Sequence, residues 1–262
     1  MAMKSCAAVA DLFSLSALTG APDYGARILK VLTHLSDAPD PASAVKELQQ
    51  TLQLFGADAG VLLSFIRDDA TRSSYRWLLA CDALWAVEYT RNDWHNHDPW
   101  LRHALQGTEP IRGTELNVRP DEEEFAAMSA TLGFASAVIV PAPTNVGASR
   151  VGMLCLGSHN PGFFEDDEAF AVVRVLARAL AMELHRWQLN FMRHELLAST
   201  RISAAELDLL RHEEAGHTSK HIGAALNIEA KTVDCRFQKL CAKLNSPDRR
   251  TAARIARLYG LL

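Results

Sequence analysis

The sequence predicts an α+β chain in two parts: an α/β/α sandwich around an antiparallel sheet, then an all-α module of four helices. Three observations carry the prediction. Over the first three quarters, segments with helical apolar spacing are interspersed with four short strand-like runs. A long periodic segment from about Glu165 to Leu189 closes that region. Beyond it only helix-period segments occur. The expected boundaries are an N-terminal extension at 1–23, the sandwich at 24–189, a linker at 190–201 and the helical module at 202–262. With 262 residues, 48% of them hydrophobic, the chain can fill two modest cores.

Pro22-Asp23 opens the first helical pattern, through Ile28, Leu29, Val31, Leu32 and Leu35. Asp40-Pro41 reads as an N-cap followed by a proline at the first helical position, and Gly56 stops that second helix. Strands are expected from Gly60 to Ile66 and from Tyr75 to Ala80, joined by the charged turn Arg67–Ser73. Helical stretches follow at Leu84–Thr90, Pro99–Leu105 and Glu122–Thr131. Two more strands, Ala135–Val140 and Val151–Leu156, flank the turn-rich Pro141–Ser149. Asp166, Asp167 and Glu168 suit the positive end of the long helix. Its Phe170, Val173, Leu176 and Leu180 fit either a protomer contact or packing on the sheet. A sheet covered on both faces by helices can enclose an apolar cavity.

In the C-terminal module, Ser203 and Glu206 have capping-box spacing, and Leu207, Leu209 and Leu210 follow before Gly216. Thr218 can cap a second helix, which Asn227-Ile228-Glu229 ends. The third, Ala230–Leu244, places Val233, Phe237, Leu240 and Leu244 on one face, and Pro247-Asp248 opens the fourth. Two short helices across a tight turn, the second long enough for a major groove, are what a helix-turn-helix reader requires. Charge agrees. The whole chain carries −4, but from Arg201 onward 11 Lys and Arg face 7 Asp and Glu, giving +4 and leaving −8 upstream.

Other classes lack their signatures. Five cysteines, an odd number without CxxC spacing, fit neither a disulfide framework nor a zinc site, and read as reduced thiols in the cytoplasm. The apolar stretch Cys6–Ala21 is interrupted by Asp11 and preceded only by Lys4, which argues against export. No run approaches a membrane span. There is no Gly-x-Ser-x-Gly elbow or phosphate-cradling glycine loop to mark an enzyme. His95, His97, His103 and Asp98 are close in sequence, but a solvated helix connection explains them. Two helices before any strand argue against a phosphorylated receiver domain.

The C-terminal stretch resembles the LuxR family. The opening Thr/Ser-x-x-Glu, a Leu four residues after the Glu and a Gly ten after it stand here as Ser203, Glu206, Leu210 and Gly216. The segment Ser219–Asn245 follows the family's scanning and recognition helices nearly position for position. The resemblance implies that Asp234, Cys235 and Gln238 face base edges, while Thr218, Ser219, Lys220, Lys231, Thr232 and Lys239 hold phosphates. Arg236 stands where relatives commonly have His, and Glu229 replaces a small N-cap residue.

The same resemblance directs attention to Trp85, Tyr89 and Asp98-Pro99. In relatives that bind acyl-homoserine lactones, these residue types at this spacing line the signal pocket. It assigns the Trp85 indole N–H to the lactone carbonyl, the Asp98 carboxylate to the ligand amide and Tyr89 to contact near the head group. Cys81 stands where the family often has a second Tyr, and Gly113 where it has a second Trp. Cys155 and Gly157 fall near its small hydroxyl position. The implied molecule is a non-enzymatic, cytoplasmic regulator without a cofactor, whose partners are a small signal, a second copy of itself and a roughly palindromic duplex DNA site. A ligand-independent regulator with a filled cavity is the alternative.

Overall fold

The computed structural model describes residues 14–67, 73–144 and 150–262. Two compact units divide the chain, the first ending at Trp187 and the second holding Gln188–Leu262.

In the first unit, α1 (Leu15–Thr19), α2 (Tyr24–Leu35) and α3 (Pro41–Leu54) precede β1 (Ala59–Arg67) and β2 (Ser73–Ala80). The expected N-terminal extension is therefore partly built in: Ser14 caps α1, and Leu15 is buried. Its first 13 residues, including Cys6 and Asp11, lie outside the described residues. Asp40 accepts from Ser43 N and caps α3 as its sequence predicts. Gly56 ends the helical segment with φ +64°, a conformation that glycine adopts without a Cβ clash.

Next come α4 (Leu84–Arg91), α5 (Pro99–Gln106), the two-residue β3 (Ile111–Arg112) and α6 (Glu123–Ser129). The helix expected over Glu122–Thr131 is shorter, because a 3-10 turn precedes it and a wide turn at Ala130–Phe134 follows. Strands β4 (Ser136–Pro143) and β5 (Arg150–Ser158) extend further than predicted, while 145–149 of their connection lie outside the described residues. β3 has no sequence signal, since two residues show no alternation.

The five strands run in the order β2-β1-β5-β4-β3, with β3 antiparallel to β4 and β4 to β5. Strand alternation sorts side chains between two layers. On one face, Val61, Leu63, Ile139, Met153 and Cys155 join the core under α4–α6. On the other, a Cβ at Gly60 would touch Leu52 of α3, and one at Gly152 would overlap His185 of α7 (Asp167–Thr200). This is the expected α/β/α sandwich.

Two findings concern α7. The segment expected as a linker at 190–201 is its last three turns, and the chain leaves the helix at Arg201, φ +49°. Of the Phe170–Leu180 stripe, Phe170, Val173 and Leu180 are buried and Leu176 is half-buried, so of the two readings packing accounts for it. Val172, Val175 and Met182 form the exposed apolar stripe instead.

The second unit contains α8 (Ala204–Glu214), α9 (Ser219–Leu226), α10 (Ala230–Lys243) and α11 (Arg249–Leu258). They close on Leu209, Leu210, Ile222, Val233, Phe237 and Leu240. The capping box forms with both bonds: Ser203 Oγ accepts from Glu206 N, and Ser203 N donates to the Glu206 carboxylate. Among the described residues no helix is long and apolar enough to cross a membrane.

Candidate functional site

Between the sheet and α4–α6, six aromatic rings form one buried group: Trp85, Tyr89, Trp94, Trp100, Phe125 and Phe134. Trp85 and Tyr89 lie one turn apart on α4, so both point the same way. They are fully buried and stack with centroids 4.7 Å apart. Trp100 lies nearly parallel to Trp85 at 6.4 Å, and Phe125 meets Trp100 edge-on at 4.8 Å. The Trp85 indole N–H donates to Ser129 Oγ at 3.2 Å.

Asp98 is the charge at the edge of this group. Pro99 at the first turn of α5 needs no amide partner, and Asp98 Oδ1 accepts from Trp100 N at 2.8 Å and Leu101 N at 3.0 Å. Its other oxygen accepts from the Tyr89 hydroxyl at 2.9 Å. The two residues nine apart in sequence thus form one polar pair under the aromatic layer. Burial pushes the Asp98 carboxyl up to about 7, against the pull of the bonds from Leu101, Tyr89 and Trp100. Burial, then the Asp98 charge, hold the Tyr89 phenol well above its ordinary range. The arrangement offers a buried acceptor, bonded to Tyr89, and an indole donor on the ring stacked against it, which suits an amide and a carbonyl joined to an apolar body.

The remaining residues singled out by sequence divide. Cys155 lies on β5 within the same core, and burial holds its thiol well above the ordinary value. Cys81 packs against the group half-buried, its thiol pushed up to about 12 by burial. Neither is a thiolate nucleophile. A Cβ at Gly113 would stand 3.5 Å from Ala137 on the site face of β4, so that position does border the group. Gly157, two residues beyond Cys155 on β5, borders the group as well: a Cβ there would lie 2.4 Å from Phe134 and 2.5 Å from the Gly133 carbonyl, so its bareness also seats the wide turn. His97 pairs with Asp121 and His103 with the Glu109 carbonyl. Among the described residues no His, Cys, Asp or Glu group is arranged to hold a metal.

In the helical unit, the Thr218 hydroxyl accepts from His221 N and starts α9. Asn227 ends it in the left-handed region, φ +53°. The following turn crosses so close that a Cβ at Gly223 would lie 2.6 Å from the Ile228 carbonyl. This close crossing sets α10 against α9. Glu229 occupies the N-cap of α10 without a side-chain capping bond, as expected for a residue that replaces a short capping side chain. Val233, Phe237 and Leu240 turn inward, leaving Lys231, Thr232, Asp234, Cys235, Gln238 and Lys239 exposed. Lys220 is exposed at the start of α9. Ser219 Oγ donates to Asp234 Oδ1 at 2.6 Å and accepts from Arg249 Nη1 at 2.9 Å, which ties the starts of α9 and α11 to the outer face of α10.

The family model for the autoinducer binding domain matches residues 40–187, and that for bacterial regulatory proteins of the luxR family matches residues 200–256. The chain belongs to the LuxR family. Its fold is similar to SdiA of Escherichia coli, with 16% identity and a TM-score of 0.65 over 90% of this chain and 98% of that one. SdiA in complex with octanoyl-rac-glycerol gives 16% identity and 0.68 over 91% and 96%. CepR2 from Burkholderia cenocepacia, an N-acylhomoserine lactone dependent factor, gives 16% and 0.54 over 63% and 95%. Comparison with curated protein sequences returns no match.

For this LuxR-family chain, the family resemblance singled out Trp85, Tyr89 and Asp98, which the fold gathers into one polar and aromatic group. It missed Ser129, Trp100, Phe125 and Phe134. Phe125 and Ser129 carry the i, i+4 spacing of one helix face, a usable signal. Trp100 and Phe134 carry none beyond being aromatic.

Proposed function

We propose that the chain is a signal-responsive transcription regulator that takes an acyl-homoserine lactone, or a related acyl ligand, against Trp85, Tyr89 and Asp98. The observation that carries the reading is the buried Asp98 carboxylate, capped on one oxygen by two backbone amides and reached on the other by Tyr89. A carboxylate in such surroundings gains from a further N–H donor, and a ligand amide supplies one. Trp85 exchanges its bond to Ser129 for one to a ligand carbonyl. The acyl tail is held by apolar contact alone. The octanoyl-rac-glycerol of the SdiA complex is likewise an acyl chain on a small polar head.

In this reading the protein works in the cytoplasm as a homodimer, through the exposed Val172, Val175 and Met182 of α7. Two recognition helices then address half-sites about one DNA turn apart. Asp234, Cys235 and Gln238 read bases, with Thr218, Ser219, Lys220, Lys231, Thr232 and Lys239 on phosphates. The signal acts by its differential affinity for the DNA-competent state.

A ligand-independent regulator is the second reading. The contacting rings of Trp85, Tyr89 and Trp100 and the internal bond from Trp85 to Ser129 favour it. A thermal-shift series with lactones of increasing acyl length separates the two. A chain-length-dependent rise in melting temperature supports the sensor; none across the series supports the alternative. Mass spectrometry of small molecules extracted from the purified protein names the ligand.

A further inference from the structure

Between α8 and α11 lies a cleft of about 340 Å³ whose lining includes four arginines, two glutamates and His217. Two arginines are used internally. Arg249 Nε stands 2.9 Å from Glu213 Oε2, and Arg257 Nη1 stands 2.6 Å from Glu214 Oε1. Arg250 and Arg254 are left, one helical turn apart on the same face of α11, and among the described residues neither forms an ion pair. Like charges at this spacing repel unless an anion lies between them. Asp248, which caps α11 through Thr251 N, is near enough to Arg250 for the two charges to interact without forming an ion pair, and Arg254 has no such neighbour among the carboxylates that line the cleft. With four guanidinium groups against two carboxylates, the lining carries an excess of two positive charges, on those two side chains.

The position of the cleft indicates the anion. Gly216-His217, which lines it, runs directly into Thr218, Ser219 and Lys220 at the start of α9. Arg249, at its mouth, bonds Ser219 Oγ. A guanidinium presents a planar fork that matches phosphate oxygens two at a time. We propose that this cleft binds the sugar–phosphate backbone of the target duplex beyond the stretch held by Thr218, Ser219 and Lys220, with Arg250 and Arg254 each taking a phosphate. The cleft thereby lengthens the DNA footprint without adding sequence preference. This rests on the DNA-binding reading of the helical unit.

The test uses the full-length protein and two duplexes with the same central site, one extended by about ten base pairs, or one turn, at each end. Anisotropy titrations across a salt series compare wild type with an Arg250→Gln/Arg254→Gln variant. Each lost phosphate contact flattens the slope of log K against log salt by about 0.9, so the double variant is about two less steep on the long duplex. It also loses the gain that wild type shows from the extension. An Arg250→Lys/Arg254→Lys variant, which keeps the charge, restores the slope. Equal slopes and an equal gain from extension in wild type and the Gln variant overturn the proposal while leaving the DNA reading intact. Tripolyphosphate that raises the melting temperature of wild type but not of the Gln variant, with equal DNA slopes, overturns it in favour of a free-anion site. Wild type that binds neither duplex defeats the DNA reading itself, and the proposal with it.

Discussion

Replacing Asp98 with Asn separates the two jobs of this side chain, capping α5 and holding a buried charge. Asn is as good an N-cap as Asp, so the backbone bonds at Trp100 and Leu101 survive. What disappears is the titration. Burial raises the carboxyl from its ordinary 3.8 to about 7, so between those values the folded chain holds a proton that the unfolded chain has released. The contribution of Asp98 to stability is fully present below pH 3.8 and is lost as pH rises through 7. A difference of about three pH units, at about 1.4 kcal/mol each, amounts to about 4 kcal/mol. The Asn variant lacks this slope, and its stability relative to wild type improves by that order between pH 4 and pH 8. Urea unfolding followed by tryptophan fluorescence reads the correct unit, since all five tryptophans (Trp77, Trp85, Trp94, Trp100 and Trp187) lie in the first one. Parallel stability-against-pH curves for the two proteins would refute the account of Asp98 as a carboxylate strained by burial.

Other outcomes follow from the same geometry. Trp85→Phe keeps the ring stack but removes the indole N–H, so lactone affinity falls roughly fivefold to tenfold, for about 1 kcal/mol of hydrogen bond, by calorimetric titration. An unchanged Kd would remove the indole from the ligand contact. Gly157→Ala drives a methyl into Phe134 and the Gly133 carbonyl and lowers stability by about 1–3 kcal/mol, measured as a fall in melting temperature. Val175→Glu with Met182→Glu leaves the sandwich folded, since both side chains are exposed, and, on the proposed homodimer reading, shifts sedimentation from dimer to monomer. A dimer that persists places the protomer contact elsewhere.

The helix starts of both units were legible because their signals are local. Asp40-Pro41, Asp98-Pro99 and the Ser203–Glu206 pair each specify a helix start within four residues, and all three form as read. Failures come where local patterns are ambiguous. Residues 190–201 carry no glycine or proline to stop α7, and polarity alone does not end a helix, so what reads as a linker is helix through Thr200. The stripe through Phe170, Val173 and Leu180 is apolar whether it meets a sheet or a second protomer, and only the fold decides. Gly157 is singled out by the family resemblance alone, and its contact with Phe134, 23 positions away, and with the turn beneath it has no local signal. Trp85 and Tyr89 are singled out by the family resemblance, whereas the partner of the indole, Ser129, is 44 residues off, and its i, i+4 spacing with Phe125 marks a helix face but not the indole it meets.

The most direct measurement of the central claim is the affinity of the full-length protein for a palindromic duplex at low salt, with and without a saturating acyl-homoserine lactone. A signal that prefers one state of the regulator changes that affinity by a fixed factor, and DNA changes the affinity for the signal by the same factor. The account predicts equal shifts in both titrations, abolished by Asp98→Ala. Identical DNA affinity across a series of lactones, in a protein that binds duplex normally, would contradict it.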